Sequence, residues 1–242
     1  MTTSQGRFVA VAGLLLLAPA LALSQRTDVS RDFPIYPNGG RPDLLVDPQR
    51  FVAQMQIVDR YFAPEDCALA EGVVGGPGYR RLLRFDTVVV NMGDGDLVVG
   101  DRSDPNNRYA DWFVFHPCHG HYHIKDFSVY ELLRLDGTLA ARGVKQGFCF
   151  EDSFKYGPNK SNGYTCQFQG ITSGWGDWYY KQLVGQWIDI TGVPEGDYRV
   201  RVTINKGGKK GPLFDEGSNR YPNVVETLIH VPDPRSKVDI VE

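Results

Sequence analysis

The chain has 242 residues, 42% of them hydrophobic and 23% charged, with a formal net charge of −3. That length and apolar content suit one large domain or two small ones with a sizeable core. The mild acidic balance argues against nucleic acid as the main partner and is compatible with cationic substrates.

Residues 1–24 stand apart from the rest. A short polar start, MTTSQGR, precedes the apolar run FVAVAGLLLLAPALAL, and Ala20 and Ala22 offer small residues at cleavage-site spacing. This reads as a secretory signal peptide. The run falls short of the ~20 residues that a spanning helix needs. A soluble, exported mature protein with no membrane attachment after cleavage is expected. Residues 25–41 carry two prolines and two glycines without periodicity and read as a linker or an ordered arm. Residues 42–242 are expected to form a single domain.

A helix is expected over 47–62. Asp47 suits the N-cap, Pro48 the first helical position, and Phe51, Met55, Val58 and Phe62 share one face. Pro64 ends it. From there the pattern is β: LLRFDTVVVNMG (82–93), DLVVGD, DWFVFH, HYHIKDFSVYELL, GFCFED, QWIDIT (186–191), VPEGDYRVRVTI and PNVVETLIHV (222–231). In VPEGDYRVRVTI, Tyr198, Val200, Val202 and Ile204 alternate with Arg199, Arg201 and Thr203, the pattern of an antiparallel strand with one wet face. Residues 157–180 show little periodicity and read as a long loop that its aromatics and Cys166 keep ordered. The expected class is mainly β, a β-sandwich-like domain with one early helix and long ordered loops.

Four cysteines, Cys67, Cys118, Cys149 and Cys166, in an exported chain suggest two disulfides, with three possible connectivities. A bridge closing the loop from Cys67 to Cys118 would contribute about 4 kcal/mol in the chain-entropy account.

The chain has five histidines, and four of them sit in HPCHGHYH, residues 116–123. His119, His121 and His123 lie two apart, so on a strand all three share one face. Three imidazoles on one face can converge on one ion, and such ligands suit Cu, Zn, Ni and Fe(II). These ligands alone do not separate copper from zinc. His116 has the opposite parity and lies beyond Pro117, and it reads as a bystander. His230 ends a strand and reads as structural.

The segment FHPCHGHYHIKDFSVYELL resembles the copper-binding segment of the lysyl oxidase family. RPDLLVDP (41–48), RLLRF (81–85), VKQGFCFED (144–152) and QWIDITGVPEGDYRV (186–200) match family blocks in the same order, so the resemblance spans about residues 42–231. It implies a secreted amine oxidase with Cu(2+) on His119, His121 and His123. It also implies a lysine tyrosylquinone built from Lys145 and Tyr179, two residues to which their own surroundings in sequence give no special status. The implied reaction uses molecular oxygen to convert peptidyl lysine or small primary amines to aldehydes, releasing peroxide and ammonia. The base for proton abstraction is unassigned, with Asp177 the nearest carboxylate in sequence. The resemblance further implies the pairs Cys67–Cys118 and Cys149–Cys166. Two other family bridges are absent as wholes, with Val73 and Gly185 at one and Lys155 and Trp175 at the other. Some relatives bind Ca(2+); here Asp43, Glu216, Asn219 and Asn223 could ligate, although Pro222 departs from the family pattern. The alternative functions are a secreted copper-binding module that never matures a quinone and a zinc hydrolase. The hydrolase lacks a motif-placed base such as the Glu of His-Glu-x-x-His.

Overall fold

The computed structural model describes residues 33–116, 119–144, 147–207 and 211–241. The segment expected to be a signal peptide, Cys118 and Lys145 lie outside the described residues.

Strand β1 (Leu44–Val46) leads into helix α1 (Pro48–Ala53). The Asp47 carboxylate accepts from the amides of Gln49 and Arg50 at 2.9 and 3.1 Å, the N-cap arrangement that the sequence suggests. The helix is shorter than expected: it stops at Ala53, and β2 (Gln56–Phe62) occupies the rest of the segment. Val58 and Phe62, four residues apart, share a face under either period. Pairing with β3 (Gly78–Arg84) along the whole strand decides between them. A single turn, α2 (Cys67–Ala70), capped by Asp66, lies between these strands.

The run expected as one strand over 82–93 is divided between β3 and β4 (Thr87–Asn91). The break falls at Asp86, whose carboxylate leaves the ladder to accept from Lys181 N and Trp178 Nε1 at 2.8 and 2.7 Å. Then follow β5 (Leu97–Asp101), β6 (Phe113–His116), β7 (His121–Lys125) and β8 (Ser128–Arg134). Asp126, at φ 59°, separates β7 from β8 in what reads as one run in sequence. Next come β9 (Leu139–Gly143), β10 (Gly147–Phe148) and β11 (Phe154–Lys155).

The stretch over 157–180 is not loop throughout: it contains β12 (Phe168–Ile171) and β13 (Trp175–Tyr179). Glycines hide the alternation there because close approach demands them. A Cβ at Gly170 would lie 2.5 Å from the Leu97 carbonyl oxygen, and one at Gly176 would lie 2.8 Å from the Tyr156 ring. The last strands are β14 (Trp187–Asp189), β15 (Gly196–Ile204), β16 (Val224–Val231) and β17 (Asp239–Val241). On β15 the expected alternation holds, with Tyr198, Val200, Val202 and Ile204 buried.

The class is mainly β. The strands form sheets in the orders β1-β4-β13-β11, β10-β7-β6, β12-β5, β14-β3-β2-β17 and β16-β15-β8-β9. One apolar core draws on every sheet. Leu44 and Val89 come from the first, Ile124 and Phe148 from the second, Leu97 and Ile171 from the third, Leu83 and Ile188 from the fourth, and Leu132 and Val200 from the fifth. Among the described residues no helix is long and apolar enough to cross a membrane.

The Cys149–Cys166 bridge implied by the family resemblance is present, with a Cα–Cα distance of 5.2 Å across a sequence separation of 17. Cys67 is also disulfide-bonded. A loop of this length is worth about 3 kcal/mol in the chain-entropy account. The Cys149→Ser/Cys166→Ser double variant should therefore unfold at lower denaturant with a stability loss near that figure. Equilibrium unfolding followed by tryptophan fluorescence will measure it, and an unchanged midpoint would contradict the assignment.

Candidate active site

The histidines lie on the β6–β7 hairpin. His116 is the register partner of His121, and the amides of His119 and Gly120 donate to the His116 carbonyl at 3.0 and 2.9 Å. Gly120 takes φ 71°, which suits the turn. Only His121 and His123 are on the strand. His119 reaches them from the turn, so the three-residue alternation on one strand applies to two of the three.

The three side chains nevertheless converge, with ligand atoms within 4.8 Å of one another. The Nε2 atoms of His121 and His123 are 2.8 Å apart. Metal–nitrogen bonds of about 2.0–2.1 Å space neighbouring ligand nitrogens by about 3 Å, so this spacing fits a first-row ion held between them. A second convergent group, His121 with Cys149 and Cys166, offers no thiolate because its sulfurs are bonded to each other. Tyr122 points to the opposite face, against Phe115, as strand alternation requires.

Tyr179 ends β13 on a different sheet, yet it shares a cavity of about 210 Å³ with His119, His121, His123, Glu151 and Asp177. Its ring packs edge-on against Phe148 at 4.4 Å, and its hydroxyl donates to the Cys149 carbonyl at 2.6 Å. Burial, reinforced by the Asp177 and Glu151 carboxylates, holds its pKa well above the ordinary phenol value. Burial also raises the Glu151 pKa.

Sequence reasoning missed four supporting residues. Gln169, fully buried, donates to the Tyr122 carbonyl at 2.8 Å and accepts from Phe150 N at 3.2 Å. Gly147 lets β10 close on the histidine strand, since a Cβ there would lie 2.5 Å from His123 Cβ. His116 is not set apart from the trio as parity suggests: its ring lies 4.3 Å from that of His123, tilted by 31°. Glu71 approaches both His116 and His119. Strand parity misplaces His116 because cross-strand pairing brings it beside β7. His230 lies on β16 away from this cluster, beside Asp197 at 2.8 Å.

The residues considered for calcium lie elsewhere, where the N-terminal arm meets the 211–223 loop. Asp43, fully buried, accepts from Tyr36 OH and from the amides of Arg220 at 2.6 Å and Tyr221 at 3.3 Å. Glu216 accepts from Leu44 N at 2.5 Å, from Asn223 Nδ2 at 2.7 Å and from Asn205 Nδ2. The Asn219 amide donates to the Glu216 backbone carbonyl at 3.2 Å. Every oxygen of both carboxylates thus faces a protein donor.

The pattern that defines the lysyl oxidase family matches residues 42–215. The chain is 36% identical to lysyl oxidase homolog 2 of Homo sapiens over 193 residues, which are 75% of this chain and 23% of that protein. It is 38% identical to lysyl oxidase homolog 3A of Danio rerio over 193 residues, 75% of this chain and 24% of that one. With a mainly-β fold and a histidine trio at its cavity, the chain belongs to the lysyl oxidase family. It spans about a quarter of the length of the curated relatives it matches.

Burial pushes the Glu216 carboxyl from its ordinary 4.5 up to about 7. A group whose pKa rises on folding contributes stability that is fully present below its unfolded pKa and is lost as pH rises through its folded one. The stability advantage of the wild type over Glu216→Gln should therefore shrink as pH rises from about 4.5 to about 7. Urea unfolding in chelator-treated buffer will measure this, and parallel pH profiles for the two proteins would refute it.

Proposed function

We propose that this chain is an exported, copper- and quinone-dependent amine oxidase. It would convert peptidyl lysine or small primary amines to aldehydes and release peroxide and ammonia. One observation carries the reading: Tyr179 and the three histidines, from different sheets, line the same cavity. His119, His121 and His123 would hold copper, and Tyr179 with Lys145 would supply the lysine tyrosylquinone. Copper with molecular oxygen supplies the oxidising chemistry for building the cofactor, and the quinone supplies the electrophilic carbonyl for an amine. Family membership favours copper over zinc for ligands that suit both.

The chain's own residues would do the rest. The Cys149 carbonyl, by accepting the Tyr179 hydroxyl, fixes the orientation of the ring. Phe148 restricts its tilt. Asp177 and Glu151 put two carboxylates beside the ring, suited to receive a substrate ammonium and then a proton from its α-carbon. The raised Glu151 pKa moves that group towards the range in which a proton acceptor works near neutral pH.

The full chain, loaded with copper in air, should stain in a quinone redox-cycling assay. It should yield a cross-linked peptide joining residues 145 and 179. Peroxide release should depend on amine across lysine peptides, cadaverine and benzylamine. Tyr179→Phe should lose stain, cross-link and peroxide together, with amine-dependent peroxide falling to background, since removal of the cofactor precursor leaves no electrophile. A copper-loaded wild type with neither stain nor cross-link would overturn the reading in favour of a copper-binding module.

A further inference from the structure

The histidine trio has a second side, away from the cavity it shares with Tyr179. There Glu71, on the residue that caps the C-terminus of α2, directs Oε1 to within 3.3 Å of His116 Nδ1 and 3.5 Å of His119 Nε2. Its side chain is only 12% exposed. Glu71, His116, His119 and His123 together line a small separate cavity of about 10 Å³, room for roughly one water. The His116 ring, held by Glu71 at one edge, lies against the ring of His123.

A carboxylate beside an imidazole nitrogen holds a proton on that nitrogen, fixes the ring's rotation and makes the other nitrogen a better ligand. Glu71 lies outside the convergent ligand group itself. Its 3.5 Å approach sets a carboxylate oxygen at the Nε2 edge of the His119 ring. A carboxylate with little water around it holds an imidazole N–H more firmly than it would at the surface.

We propose that Glu71 is a positioning residue of the metal centre. It orients His119 directly and His123 through the His116 ring. This rests on the proposed metal role of the three histidines.

The test measures copper affinity of the full chain by chelator competition, together with the Cu(II) electron paramagnetic resonance spectrum. Glu71→Gln keeps the shape and removes the charge. His116→Phe keeps a ring against His123, removes Nδ1 and leaves α2 untouched. Both should weaken copper binding, Glu71→Gln by about 10–100-fold, and both should change the copper hyperfine splitting. Asp47→Ala is the structural control. It deletes the α1 N-cap, where the Asp47 carboxylate accepts from Gln49 N at 2.9 Å, and α1 carries neither Glu71 nor a histidine. It should lower the melting temperature and leave affinity and spectrum as in wild type. Wild-type affinity and spectrum in either folded variant at Glu71 or His116 would overturn the proposal while leaving the oxidase reading intact. Wild-type protein that takes up no copper, or takes it up equally well as His123→Ala, would overturn both.

Discussion

One buried amide holds the site together. Gln169 is fully enclosed on β12, and its side chain reaches three other segments. It donates to the Tyr122 carbonyl on the histidine strand and to the Cys166 carbonyl at 3.3 Å, and it accepts from Phe150 next to Cys149. A buried amide left without a partner costs about 1–3 kcal/mol for each group stranded. Sliding β7 past the Cys149 segment would strand several at once. The penalty matters because side chains alternate along a strand, so a one-residue slip would turn His121 and His123 to the opposite face. The Cys149–Cys166 bridge adds a covalent limit to the same joint.

The Tyr179 half is held in the same manner by a second glutamine. Gln186, also fully buried, accepts from Tyr130 OH at 2.8 Å. It donates to Thr87 Oγ1 at 3.1 Å, to the Phe85 carbonyl at 3.3 Å and to the Tyr179 carbonyl at 3.4 Å. The two halves of the cavity thus sit on separate sheets, and each is pinned by an amide whose donors and acceptor are all used. Such networks are stronger than isolated hydrogen bonds in a low-dielectric interior, and they leave few alternative arrangements. They join where Tyr179 OH meets the Cys149 carbonyl, close to the bridge and to Gln169.

Much of the framework was legible in the chain because local rules and tertiary packing agree there. The alternation of β15 and the Asp47 cap of α1 are examples. Where they disagree, the sequence misleads. Val58 and Phe62 fit both a helix and a strand, and only pairing with β3 settles the matter. Strands β12 and β13 were invisible because Gly170 and Gly176 carry no side chain to mark a face, while the reason for those glycines lies in distant segments. The histidine trio was legible as chemistry, since its spacing is local. Tyr179 was not. Its proposed role depends on meeting a cavity built by another sheet, and only the resemblance to a family singled it out. Glu71 and Gln169 had no signal in sequence, and His116, visible in the cluster, was set aside by parity, because each makes its contact across the fold.

The electrostatics of the cavity give the arrangement a direction. Two carboxylates, Asp177 and Glu151, face imidazoles and a phenol that burial keeps protonated. Desolvation penalises negative charge there, as the raised Glu151 pKa records. A cation entering such a space gains twice, from direct attraction and from relieving the carboxylates of an unfavourable environment. The attraction lowers the carboxylate pKa, so cation uptake and proton release become linked. The metal expected on the histidines and the ammonium expected of a substrate both carry that charge. On the proposed reading, the cost of burying Glu151 and Asp177 is what favours the charge that the chemistry requires. The phenol, which burial keeps neutral, packs against Phe148 without that cost.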